Sequence, residues 1–128
     1  MEDALFCARR NARLNDVDDE RLGLYLPWEM PSLRSLTDAT RADVATANML
    51  PGPLMSVEAE LAGRVRTGGV LLLSGFREVD LPAVRKAFSP HFAVPARPTL
   101  QRDGYIALAC HRTDASLRTD DLSASAVA

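Results

Sequence analysis

Cysteine, histidine, aromatic residues and net charge are all scarce in this chain, and each shortage narrows what the chain can be. Its 128 residues include two cysteines, Cys7 and Cys110. These are too far apart to form the spaced pairs of a zinc site, so they read as two buried thiols in a reducing compartment, cytoplasmic or an organellar matrix. No metal centre is expected. A formal net charge of -2 leaves no positive footprint for a phosphate backbone, which argues against direct nucleic-acid binding. Apolar runs such as Val70 to Leu73 are far shorter than the roughly 20 residues a membrane span needs. The acidic start Met1-Glu2-Asp3 has no apolar core behind it and does not read as a secretory signal. None of the seven glycines belongs to a closely spaced run after a strand, so a phosphate-cradling loop is missing. What remains, 47% hydrophobic and 25% charged residues, suits one soluble globular domain.

Periodicity divides the chain into alternating elements. Leu5, Phe6, Ala8 and Ala12 recur at helical spacing with Arg9, Arg10 and Arg13 opposite, which predicts a helix over 3–15 capped by Asp3 and stopped at Asn15-Asp16. Leu22, Leu24 and Leu26 alternate as in a short strand ending at Pro27. Residues 27–41 carry no period and read as an irregular, exposed insertion, with Trp28 as its aromatic. Residues 42–47 are small and β-branched, as in a buried strand, and run into Asn48-Met49-Leu50-Pro51-Gly52-Pro53, a tight turn. Leu54, Val57, Leu61 and Val65 give a helix that Thr67-Gly68-Gly69 ends. Val70 to Ser74 predicts a strand buried on both faces and closed by Gly75, and Asp80 is the expected cap of a helix carrying Leu81, Val84 and Phe88. Residues 91–94 and 105–110 read as strands of a long hairpin through Arg102-Asp103-Gly104, with His91 and His111 as surface or strand-end residues. Residues 113–128 are expected to be a disordered tail. Alternation of helix and strand argues an α/β fold with a mostly parallel sheet and a C-terminal antiparallel hairpin.

In open parallel sheets ligands bind at the carboxyl ends of strands, where loops are free and helix N-termini point at the ligand. Asn48 stands at such an end, beside a turn stiffened by two prolines. Its amide can donate and accept. Two readings follow from the spacing: Asn48 caps the next helix, or it presents its amide to a ligand.

The stretch from Asp43 to Leu54, DVATANMLPGPL, resembles the strand and Asn-Ile-Leu-Ala-Gly-Pro-Leu turn of the bacterial ribosomal-protein methyltransferases called PrmA. The likeness continues upstream through Ala4 to Asn15 and Arg21 to Pro27, and downstream through Gly68 to Gly75, covering about residues 3 to 112. It implies a partial Rossmann-like methyltransferase sheet of order 3-2-1-4-5-7-6 that lacks its first two strands, over a domain of residues 1–112. It also implies S-adenosylmethionine as methyl donor and a protein amino group as acceptor, on a ribosomal protein or another lysine-bearing protein, with no membrane partner.

By the same resemblance Asn48 is the catalytic residue and a cofactor contact, and Glu2 is the candidate for the acidic cofactor ligand, its other role being helix N-terminal charge. Leu50, Gly52 and Trp28 are the substrate-side candidates. The glycine-rich cofactor loop has no counterpart, so a truncated or incomplete form with weak or no activity alone is expected, the alternative being a non-catalytic protein-interaction module on the same fold. Lysine methyltransferases of the electron-transfer flavoprotein β-subunit share the pattern, and the acceptor stays open.

Overall fold

Leu71 and Leu73 are fully buried while Leu72, between them, is 41% exposed. That alternation is the organising feature of the computed structural model, which describes residues 2–122. The chain divides into two compact units, the described residues up to 31 and those from 32 onward.

The first unit holds α1 (Glu2–Leu14), with Glu2 and Asp3 both in its first turn, where their charge complements the helix dipole. Asp3 is therefore inside the helix and does not cap it. The helix stops as expected: Asp16 adopts φ +55°, and the Val17 N–H donates to Ala12 O at 2.9 Å, as in a Schellman stop. Cys7 is exposed, which corrects the reading of two buried thiols. Residues 22–26 form no strand, because none of the described residues pairs with them and an unpaired strand leaves its backbone groups unsatisfied.

The second unit is a five-stranded sheet covered on one face by helices. Its elements are β1 (Ala42–Asn48), α2 (Pro51–Ser56), α3 (Glu58–Arg64), β2 (Val65–Arg77), α4 (Leu81–Phe88), β3 (Phe92–Ala93), β4 (Leu100–Arg102), β5 (Tyr105–Arg112) and α5 (Thr119–Leu122). The strand order is β1-β2-β5-β3, with β4 also on β5. β1 and β2 are parallel, and β5 is antiparallel to β2, β3 and β4, so four strands share one direction. Leu54 of α2, Ala62 of α3 and Val84 and Phe88 of α4 pack on Leu71, Leu73, Phe76, Ile106, Leu108 and Cys110 to make the core. The other face carries Val44, Leu72 and Leu100, exposed by 56%, 41% and 71%. The expectation that residues 70–74 are buried on both faces is thus corrected. Among the described residues no helix is long and apolar enough to cross a membrane.

Thr67-Gly68-Gly69, expected to end a helix, and Gly75, expected to end a strand, are both irregularities within β2. Between the pairs Ala42↔Val65 and Val44↔Val70 the segment 66–69 loops out, and its Thr67 N–H donates to Asp38 Oδ1 at 3.2 Å. That bond holds the Asp38 carboxyl below its usual range. The helix before it ends at Arg64, earlier than expected, because Val65 already pairs with Ala42. At the far end, Ser74↔Ala107 is followed by Phe76↔Ile106, so Gly75 is the extra residue, at φ +95°. The bulge resets the alternation and turns Phe76 into the core. A Cβ on Gly75 would stand 2.5 Å from Asn48 Oδ1 and 2.7 Å from Met49 O.

The insertion at 27–41 is irregular as expected but anchored. Leu33 is 2% exposed, and its methyls lie against Gly63 of α3. Asp80 stands at the N-cap position of α4 without capping it; its carboxylate instead accepts the Arg77 N–H at 3.1 Å. Of the expected tail, residues 113–122 are described: Thr113 N–H donates to His91 O at 2.9 Å and Leu117 packs against the core. Residues 123–128 lie outside the described residues.

Gly75→Ala should destabilise the chain by about 1–3 kcal/mol through left-handed strain, with further loss from the clash. Urea unfolding checks this: the midpoint should drop with an unchanged slope, and an unmoved midpoint would rule out the bulge. Burial pushes the Cys110 thiol up to about 11. In native protein near pH 8, Cys7 should therefore react with a thiol reagent at once and Cys110 only at the rate of unfolding. Two fast thiols would contradict the packing.

Candidate functional site

The carboxyl ends of β1 and β2 lie side by side, Asn48 opposite Ser74, and the Met49 N–H donates to Ser74 O at 3.0 Å. One residue later the chain must leave the sheet. Leu50, just before Pro51, is barred from helical geometry and sits extended at φ -62° and ψ 151°. Pro51 then opens α2, with Leu50 at the N-cap position and no side-chain cap. Asn48 therefore does not cap the helix. Among the described residues its side-chain amide makes no hydrogen bond, and the amide is exposed at the strand end.

Beside it lies a cavity of about 480 Å³, walled by Asn48, Ser74, Gly75 and the β4–β5 hairpin from Leu100 to Ala107. Sequence reasoning missed this hairpin as a wall. Its signal was Asp103-Gly104, with φ +52° and +82°, a two-residue primed turn. Because β5 runs against β2, so tight a turn returns the chain to the end of the sheet that holds Asn48. Arg77 lies over the Tyr105 ring at 4.7 Å, and Gln101 Nε2 donates to Glu78 Oε2 at 3.2 Å, which braces the hairpin.

Of the other sequence candidates, Leu50 is 70% exposed on the same bend and Gly52 has open space around it. Glu2, in the first turn of α1, and Trp28, 71% exposed in the turn Pro27–Glu29, belong to the N-terminal unit. His91 is not a surface residue: it is 6% exposed, with Nδ1 2.7 Å from Glu58 Oε1. Burial raises the Glu58 carboxyl, and the hydrogen bond to His91 partly offsets this. Neither residue lines the cavity. Among the described residues no cluster of His, Cys, Asp and Glu is placed to hold a metal ion.

The ribosomal protein L11 methyltransferase of Pseudomonas aeruginosa (strain LESB58) is 39% identical over 109 residues, covering 85% of this chain and 34% of its own length. That of Pseudomonas putida (strain W619) is 39% identical with the same coverage. The chain thus spans about a third of the length of these relatives. The crystal structure of ribosomal protein L11 methylase from Lactobacillus delbrueckii subsp. bulgaricus shares the fold, with a TM-score of 0.69 at 21% identity over 88% of this chain and 55% of that one. The family model for ribosomal protein L11 methyltransferase (PrmA) matches residues 2–113, so the chain belongs to that family.

Proposed function

We propose that this chain carries the acceptor side of an S-adenosylmethionine-dependent protein N-methyltransferase acting on a lysine or other amino group of a ribosomal or other lysine-bearing protein, and that alone it has weak or no activity. The observation that carries this reading is the uncommitted Asn48 amide at the mouth of the cavity.

The acceptor side fits the chemistry. An amine attacks only when neutral, whereas free lysine titrates near 10.4. The cavity walls include no carboxylate to hold an ammonium, and their one cation, Arg102, disfavours a second. The Asn48 carbonyl can accept an amine N–H and so aim the nitrogen lone pair, while Leu100 and Tyr105 offer apolar surface to the alkyl stem. S-adenosylmethionine, when bound, supplies the methyl group on its sulfonium. The donor side fits less well: no described residues form a glycine-rich strand-loop-helix, and Glu2 has a sufficient role at the α1 N-terminus.

A second reading, a non-catalytic protein-interaction module, is favoured by the exposed apolar sheet face of Val44, Leu72 and Leu100.

Calorimetric titration of the chain with S-adenosylmethionine should give no complex tighter than about 1 mM. A tight complex lost in Asn48→Ala would show that the donor side is present after all. Titration with a lysine-containing peptide, followed by NMR, should shift the Asn48 side-chain amide and Tyr105. The shifts should grow from pH 7 to pH 10 as the amine loses its proton, and vanish in Asn48→Ala; absence of any shift would favour the interaction module.

A further inference from the structure

Arg41 immediately precedes β1 and Asn48 ends it, so the surroundings of Arg41 lie at the opposite end of the sheet, roughly 20 Å away. There Arg41 and Arg112 line one cavity of about 290 Å³ with Thr67, Asp114, Ser116 and Leu117 on its walls. Arg112 is 4% exposed and rigidly held: Nε donates to Ala62 O at 3.0 Å, and Nη1 donates to Thr113 O at 2.6 Å and Ala115 O at 3.0 Å. The Arg41 side chain is held through Nη1, which donates to Asp38 Oδ1 at 3.2 Å. Its Nε is buried with no hydrogen-bond partner. Native structures rarely leave a charged, buried donor without an acceptor.

The nearby acids do not supply one. Asp38 Oδ1 is shared with the Thr67 N–H, and its side chain is 54% exposed. Asp114 is exposed, and Glu58 is paired with His91. Burial and the positive charge of Arg41 both lower the Arg112 pKa, so the two guanidiniums repel each other across the site.

We infer that this cavity is a binding site for a phosphate-type oxyanion, seated between the Arg41 and Arg112 guanidiniums beside the Thr67 and Ser116 hydroxyls. Guanidinium forks match the oxygens of such an ion, and the volume admits one ion with a few waters. The overall charge of -2 and a cavity of only about 290 Å³ suit a free ion or one phosphate monoester rather than a nucleic-acid strand. This inference does not depend on the methyltransferase reading.

The test is NMR titration of the full chain with sodium phosphate, and in a second arm with O-phosphoserine, against sodium chloride at matched ionic strength. Saturable shifts of the Arg41 Nε–H signal and the Thr67 and Ser116 amides are expected, with a Kd on the order of 1 mM. Saturation by phosphate alone identifies a free ion, and by both a monoester-tolerant site. Arg41→Gln should weaken binding roughly 10- to 100-fold. Should that variant not fold, Arg41→Lys, which keeps the charge but lacks Nε, should show the same loss. Shifts equal to those in chloride, or saturation centred on other residues, would overturn the site.

Discussion

The close approach of β1 and β2 at their carboxyl ends is the constraint on which the second unit depends. Gly75 makes it possible, since any side chain there would strike the Asn48 amide and the Met49 backbone. The same bulge turns Phe76 inward and lets β5 keep its register across Ser74 and Phe76. One backbone feature thus links the core to the placement of the candidate site.

At the other end of the sheet, polar bonds work together with one tight apolar contact. Asp38 accepts from Thr67, Arg112 gathers the carbonyls of Ala62, Thr113 and Ala115, and Leu33 closes over Gly63. Together they anchor a loop and a C-terminal segment that have little apolar periodicity of their own. The sheet is packed by helices on one face, and the exposure of Val44, Leu72 and Leu100 on the other follows from that asymmetry.

Electrostatics separate the two ends. The cavity beside Asn48 has Arg102 as its one charged lining residue, whereas the cavity beside Arg41 is lined by two guanidiniums and Asp114. A neutral amine suits the first and an anion the second.

Local chemistry alone determined much of this protein. Helical spacing located α1 and α4, Asp16 stopped α1, and the end of β1 at Asn48 was legible, although Pro51 to Pro53, expected as part of a turn, open α2. Tertiary structure decided the rest. Whether Gly68 ends a helix and Gly75 a strand, or both lie within a continuous β2, depends on the register of β1 and β5, which no local pattern encodes. Residues 22–26 alternate like a strand yet pair with nothing described, because a strand needs a neighbour as well as a pattern. Burial of His91 and Arg112, and the hairpin wall facing Asn48, likewise arise from segments distant in sequence that meet only once the sheet is assembled.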